Sequence, residues 1–218
     1  MRDEDIHEVM SILRAYTPRW ATPYVGELAE KNRDPFRILI ATILSLRTKD
    51  ATTAAAAARL FALADTPEQI SQLTPDQIAE AIYPVGFYRT KAHTILSVCR
   101  ELLERYDGRV PDTIEALLTL TGVGRKTANL VLTLGYGKPG ICVDTHVHRI
   151  VNRWGYVKTK TPKETEMALR AKLPPQYWTE INNHLVAWGQ HLCHPTSPRC
   201  SVCPLRPYCA RLGVTRSR

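Results

Sequence analysis

Three segments of the sequence begin with the same helix-start signature, and this feature constrains the fold most strongly. Each has Thr, then Pro, and then Gln or Glu three residues after the Thr: Thr66-Pro67-Glu68-Gln69, Thr74-Pro75-Asp76-Gln77 and Thr161-Pro162-Lys163-Glu164. Thr caps a helix, Pro fits its first position, and the third side chain can bond back to the start. Apolar residues at helical spacing fill most of the chain, and no segment alternates long enough to indicate a strand. The sequence therefore predicts an all-α protein of roughly ten helices.

Charge and hydropathy narrow the class of protein. Of 218 residues, 44% are hydrophobic, which is enough for one large or two small domains and excludes a disordered chain. The net charge of +8 favours a polyanionic partner, most simply nucleic acid, although a basic protein without such a partner is an alternative. The polar start MRDEDIHEVM resembles no targeting signal, and no apolar run reaches the ~20 residues of a membrane span. We therefore expect an intracellular protein with no membrane partner.

A glycine-rich turn, Thr121-Gly122-Val123-Gly124-Arg125-Lys126-Thr127, joins two predicted helices. It lacks the preceding strand and the earlier glycine of a P-loop, and the third glycine of a dinucleotide fingerprint. Glycines can turn backbone N–H groups outward at the start of the second helix, where they bind phosphate. A plain helix–helix turn is the alternative, and the residues leave both open.

Four of the six cysteines lie between residues 193 and 209, in a segment interrupted by prolines. Such a loop has little core of its own, and four thiolates on a metal would hold it. Four-thiolate sites bind zinc or an iron–sulfur cluster, and the physics of the spacing does not choose between them. The two other cysteines, Cys99 and Cys142, are predicted to pack as buried apolar residues.

Together these segments resemble the endonuclease III family of DNA glycosylases over roughly residues 35–209. Residues 120–128 resemble its helix-hairpin-helix motif, with Thr121 where the family usually has Pro, and Val143-Asp144-Thr145-His146 resembles its catalytic aspartate segment. The resemblance implies Lys126 as nucleophile and Asp144 as catalytic aspartate. The cysteine spacing matches the family's [4Fe–4S] loop, which implies that the cluster is held by Cys193, Cys200, Cys203 and Cys209.

The resemblance also implies residues that contact DNA. Gly86-Phe87-Tyr88-Arg89-Thr90-Lys91 is similar to the wedge loop of the family, with Phe87 as an apolar wedge and Lys91 as a phosphate contact. Arg47 stands where the family usually has a Gln that probes the orphan base. The hairpin turn implies phosphate contacts at four further residues: Gly122, Val123, Gly124 and Arg125.

The resemblance implies two helical domains, one over 28–138 and one formed by 1–27 with 139–218, with the active site in the cleft between them. The expected activity is a bifunctional DNA N-glycosylase and abasic-site lyase for damaged, oxidised pyrimidines in double-stranded DNA. Two alternatives are a monofunctional mismatch or uracil glycosylase, against which Lys126 argues, and a non-catalytic helix-hairpin-helix DNA-binding module. We expect a monomer, cytoplasmic and associated with the nucleoid of a bacterium or archaeon.

Overall fold

The computed structural model describes residues 1–20 and 22–218, and every regular element in these ranges is helical. The prediction of an all-α protein is therefore confirmed. The α-helices are α1 (Ile6–Tyr16), α2 (Tyr24–Lys31), α3 (Pro35–Ser45), α4 (Asp50–Leu63), α5 (Pro67–Ser71), α6 (Pro75–Ile82), α7 (Tyr88–Tyr106), α8 (Ile114–Leu117), α9 (Arg125–Leu130), α10 (Thr145–Arg153), α11 (Pro162–Lys172) and α12 (Ile181–His191). None of the helices in the described ranges combines the length and the apolar character that a membrane crossing requires.

The chain divides into two compact units. The middle unit is Tyr24–Lys138, and the terminal unit combines Met1–Pro23 with Pro139–Arg218. The middle unit begins four residues before residue 28, where the sequence predicted its start.

Helix α3 forms the centre of the middle unit. Its residues from Ile38 to Leu44 are all buried, so every face of this stretch contacts protein. It packs against α2, α4, α7 and α9, and a π-helical turn, Val131–Gly135, extends α9 along it. An all-round apolar helix of this kind is stable only inside a core, so the sequence of α3 determines its central position.

The terminal unit has a separate core. Helix α10 packs against α12, and α1 and α11 complete the bundle. Its buried side chains include Met10, Ile150, Leu185 and Trp188. The segment after α12 contains only two short 3-10 turns, Cys200–Val202 and Arg206–Tyr208. The cysteine-containing segment therefore has little regular structure of its own.

The predicted helix caps form as expected in one helix and in part in two others. At α6, Thr74 Oγ1 accepts the N–H of Gln77 at 3.2 Å, and Gln77 Oε1 accepts the N–H of Thr74 at 2.8 Å. Thr66 and Thr161 also cap their helices. In these two helices the side chain of Gln69 or Glu164 accepts the N–H of the residue before the Thr, not that of the Thr itself. All three signatures begin a helix at the predicted residue.

Candidate functional site

The glycine-rich turn connects α8 to α9 in the middle unit. Gly122 has a φ of +73°, and a Cβ there would lie 2.5 Å from a methyl carbon of Thr94, so only glycine fits. Glu101 Oε2 accepts the N–H of Thr121 at 3.1 Å and holds the start of the turn. Gly124 caps α9 without a side-chain bond, and a Cβ built there would meet no atom within 4 Å. The start of α9 is therefore open to an approaching ligand at Gly124.

Val123 has a different role from the predicted phosphate contact. Its side chain is buried in the core of the middle unit, and its N–H donates to the carbonyl of Leu120 at 3.1 Å. The amide is thus used inside the turn. This geometry revises the expectation for Val123: it anchors the turn, while the exposed glycines on either side present the backbone.

Lys126 is the second residue of α9. Both Lys126 and Arg125 are half-buried, and the next residues, Thr127 and Ala128, are buried in the core. The first turn of a helix carries partial positive charge and donors that point away from it. The fold therefore holds the base of the Lys126 side chain on a rigid element, the first turn of α9.

Asp144 caps α10 in the terminal unit. Its Oδ1 accepts the N–H groups of His146 and Val147, each at 2.9 Å, so the carboxylate has a defined orientation. His146 packs so close to α12 that a Cβ at Gly189 would lie 2.1 Å from its Nδ1. Only a glycine at position 189 permits this close approach. The first turn of α10 is therefore held by the Asp144 cap and by the contact of His146 with α12.

Arg47 and Phe87 are exposed residues on neighbouring loops of the middle unit. Phe87 is 61% exposed, and the Arg47 Cζ lies 5.5 Å from the centre of its ring. Arg47 has a φ of 55° and Phe87 a φ of 59°, the left-handed region that side chains rarely adopt. The structure therefore brings these two predicted site residues together on the surface.

Lys91 lies beneath these loops and is only 7% exposed. Its ammonium donates to the carbonyls of Leu44 at 2.8 Å and Leu46 at 2.6 Å, and to Thr48 Oγ1 at 3.2 Å. These bonds use all three protons of the group, and burial lowers its pKa to about 8. The predicted phosphate contact of Lys91 is therefore corrected: the ammonium holds the loop after α3 instead.

The four clustered cysteines line one cavity in the terminal unit. Its empty space, with the open mouth included, measures about 410 Å³. Its other walls include Trp188, Leu192 and five arginine and proline side chains: Arg153, Pro198, Arg199, Arg206 and Arg211. All four thiols are free of disulfides, and burial raises the pKa of Cys203 to about 11. Within the described ranges, no three side chains of His, Cys, Asp or Glu lie close enough together to bind one metal ion.

Two arginines of α10 hold the start of this cysteine segment, and sequence reasoning missed both. Arg149 Nη2 donates to the carbonyl of Cys193 at 2.7 Å. Arg153 Nη1 donates to the carbonyl of His194 at 2.7 Å and lies 3.3 Å from Cys193 Sγ. Their spacing of four residues places them on one helix face, and that spacing was the available signal.

Comparisons with known proteins agree with this arrangement. The profile described as HhH-GPD superfamily base excision DNA repair protein matches residues 40–175. Endonuclease III from Thermotoga maritima is 49% identical over 179 residues, which cover 82% of this chain and 84% of that protein. Endonuclease III homolog 2, chloroplastic, from Arabidopsis thaliana is 46% identical over 183 residues, 80% of this chain but only 47% of that longer protein.

A solved structure extends the likeness to the fold. The structure of a trapped endonuclease III–DNA covalent intermediate, an estranged-adenine complex, matches with a TM-score of 0.86 and 32% sequence identity, covering 97% of both chains. The fold and the profile match define a helix-hairpin-helix protein of the HhH-GPD superfamily of base excision DNA repair proteins. Within that superfamily, the chain belongs to the endonuclease III family.

Proposed function

We propose that this chain is a bifunctional DNA glycosylase and abasic-site lyase that removes oxidised pyrimidines during base excision repair. The observation that carries the proposal is Lys126, a half-buried lysine in the first turn of α9, directly after an open glycine turn. A lysine can form a Schiff base with a sugar carbon, which a purely hydrolytic glycosylase does not need. The related endonuclease III was trapped as a covalent intermediate with DNA.

The reaction starts with the neutral amine of Lys126. Its nitrogen attacks C1′ of the damaged nucleotide, the glycosidic bond breaks, and the base leaves with the electron pair and takes up a proton. Opening of the sugar ring leaves a protonated Schiff base between Lys126 and C1′. A proton is then removed from C2′, the C3′–O bond breaks, and the 3′ phosphate leaves, which cuts the strand. Water finally hydrolyses the imine and frees the lysine.

Asp144 is the proposed proton acceptor and stabiliser of positive charge on the sugar. Its Oδ1 is held by the two backbone N–H groups of the α10 cap, which fixes the carboxylate without neutralising it. A carboxylate oriented in this way can act as a general base through its second oxygen. It also favours the positive charge that develops as the base departs.

The hairpin turn is the proposed binding site for the DNA backbone. Gly122 and Gly124 are exposed, and Arg125 adds a charged side chain at the first position of α9. A helix start next to glycines binds phosphate oxygens through backbone N–H groups. Such contacts set the position of the duplex and carry no sequence information, which suits an enzyme that must find damage in any sequence.

The cysteine cavity is the proposed site of a [4Fe–4S] cluster. Four thiols and no carboxylate line it, which is the donor set that such clusters use. A bound cluster would supply four metal–thiolate bonds that hold a segment with almost no core of its own. Arg149 and Arg153 bind the carbonyls at the start of that segment, so the protein orients the first ligand through its backbone. These residues bind and position, and no step of the reaction passes through the cavity.

Borohydride trapping tests the proposal directly. We expect the protein to release base from a duplex that contains thymine glycol, to nick the strand, and to form a covalent adduct when borohydride reduces the Schiff base. Lys126→Ala should form no adduct. Lys138→Ala is a matched control, because Lys138 is a half-exposed lysine of the same unit that pairs with Asp112.

The outcomes separate the alternatives. An undiminished adduct with Lys126→Ala would remove Lys126 from the reaction. Base release without nicking or adduct would indicate a monofunctional glycosylase. Binding without base release would indicate a non-catalytic DNA-binding module.

A further inference from the structure

We propose that residues 210–218 form a strap over the cysteine cavity, and that local opening of this strap controls how fast iron is lost from the site. The strap begins directly after Cys209 and returns to the segment around Cys200. The inference rests on the [4Fe–4S] cluster proposed above. It gives a role to a segment that the reaction does not use.

The strap supplies part of the cavity wall. Arg211 and Val214 line the cavity together with residues of α10, of α12 and of the cysteine segment itself. Val214 is half-buried, whereas the other residues of the strap are exposed. The strap therefore covers the site of the four thiols mainly through the side chain of Val214.

The start of the strap is attached to the end of α10. The N–H of Leu212 donates to the carbonyl of Arg153 at 3.0 Å, and the N–H of Ala210 donates to the carbonyl of Trp154 at 3.3 Å. Arg153 is the last residue of α10 and Trp154 is its C-cap. Carbonyls at a helix end have no partner within the helix, so the strap binds where α10 offers free acceptors.

The far end of the strap is attached to the segment that carries Cys200. The N–H of Arg218 donates to the carbonyl of Pro198 at 3.0 Å, and the carbonyl of Arg218 accepts the N–H of Ser201 at 3.2 Å. Pro198 is itself a wall of the cavity. The strap thus runs from the fourth cysteine of the cluster segment back to the second.

A tight turn in the strap reverses the chain. The N–H of Val214 donates to the carbonyl of Arg211 at 3.1 Å, and Gly213, the third residue of this turn, has a φ of +69°. Glycine is favoured at the third position of a turn that requires a positive φ. A Cβ built on Gly213 would meet no atom within 4 Å. A larger residue at this position would therefore strain the turn without colliding with the rest of the protein.

The attachments of the strap are weak enough for local opening. Backbone hydrogen bonds hold its two ends, and each of its residues is exposed or half-buried. A segment with little buried apolar surface opens with a smaller free energy than the whole domain requires. Opening of the strap removes the wall that Val214 provides, so reagents in solution reach the thiol site without unfolding of the terminal unit.

Substitutions at Gly213 test the strap. Iron loss is followed by mixing the purified protein with a colour-forming iron chelator, and opening is followed by deuterium exchange of a peptide that covers residues 210–218. We expect Gly213→Ala to raise both rates by the same factor, about five- to thirtyfold, because alanine is unfavourable in the left-handed conformation. Gly213→Asn should stay close to the unmodified protein, since asparagine tolerates that conformation.

A matched control places the same strain elsewhere. Gly137 has a φ of +65° and lies exposed in the middle unit, so Gly137→Ala should leave both rates unchanged. Faster exchange in Gly213→Ala without faster iron loss would overturn the strap, and so would exchange of residues 210–218 as slow as that of the core of α10. Absence of iron and sulfide from the unmodified protein would instead overturn the proposed cluster, whatever the exchange of the strap.

Discussion

The ammonium of Lys91 donates to the carbonyl oxygen of Leu46 at 2.6 Å, and this bond connects the start of α7 to the loop after α3. A second bond to the carbonyl of Leu44 satisfies one of the last acceptors of α3. A cation at a helix C-terminus also interacts favourably with the helix dipole. Lys91 therefore adds to the local bonds that end α3, in which the N–H groups of Leu46 and Thr48 donate to the carbonyls of Ile43 and Ser45.

Removal of this ammonium should destabilise the middle unit. Lys91→Met keeps the length of the side chain but leaves two carbonyls without their donor, and we expect the free energy of unfolding to fall by about 2 kcal/mol. Urea titration followed by circular dichroism measures the change. Lys138→Met removes an exposed ammonium that bonds the carboxylate and carbonyl of Asp112 and lies over the ring of Tyr136, and should cost less than about 1 kcal/mol. Equal losses in both variants would contradict the role given to Lys91.

The stability contributed by Lys91 should depend on pH. Burial lowers its pKa from 10.5 to about 8, so the unfolded chain binds more protons than the folded chain between these values. Below about pH 8 both states are protonated and the cost of burying the charge is fully present. We expect the free energy of unfolding, relative to Lys91→Met, to rise from pH 8 to pH 10.5. A flat or falling difference would contradict this expectation.

The two roles of Asp144 can be separated by substitution. Asn caps a helix about as well as Asp, so Asp144→Asn should change the free energy of unfolding by only a few tenths of a kcal/mol, whereas Asp144→Ala should lose about 1 kcal/mol. Both changes remove the carboxylate and should abolish the borohydride adduct. Full adduct formation by Asp144→Asn would show that the charge of Asp144 is not needed.

Iron analysis tests the cysteine cavity. We expect the purified protein to contain about four iron and four sulfide ions per chain. Cys203→Ser should lose them together with part of the thermal stability, because the metal–thiolate bonds hold the segment. Cys99→Ala changes a buried cysteine of the middle unit and should keep the iron content. Zinc in place of iron in the unmodified protein would contradict the cluster.

Helix starts were the part of the fold that the sequence predicted best. The three Thr-Pro signatures begin helices where expected. After Pro174-Pro175 the sequence pattern predicts a helix over 176–192, and the start of that prediction is wrong: Pro175–Tyr177 forms a 3-10 turn and α12 begins only at Ile181. A proline is compatible with either structure at that point, and Trp178 Nε1 donates to the carbonyl of Leu173 at 2.8 Å across this turn.

By itself, the sequence determined the helices, the glycine turn and the grouping of four cysteines, because capping and turn formation act between residues a few positions apart. The tertiary structure decided the roles of Val123 and Lys91, which the sequence suggested as DNA contacts. The partners of Lys91 lie more than forty residues earlier in the chain, at the end of α3. Only the packing of α7 against α3 brings them within reach, and the free energy of burying an ammonium then requires that they be used.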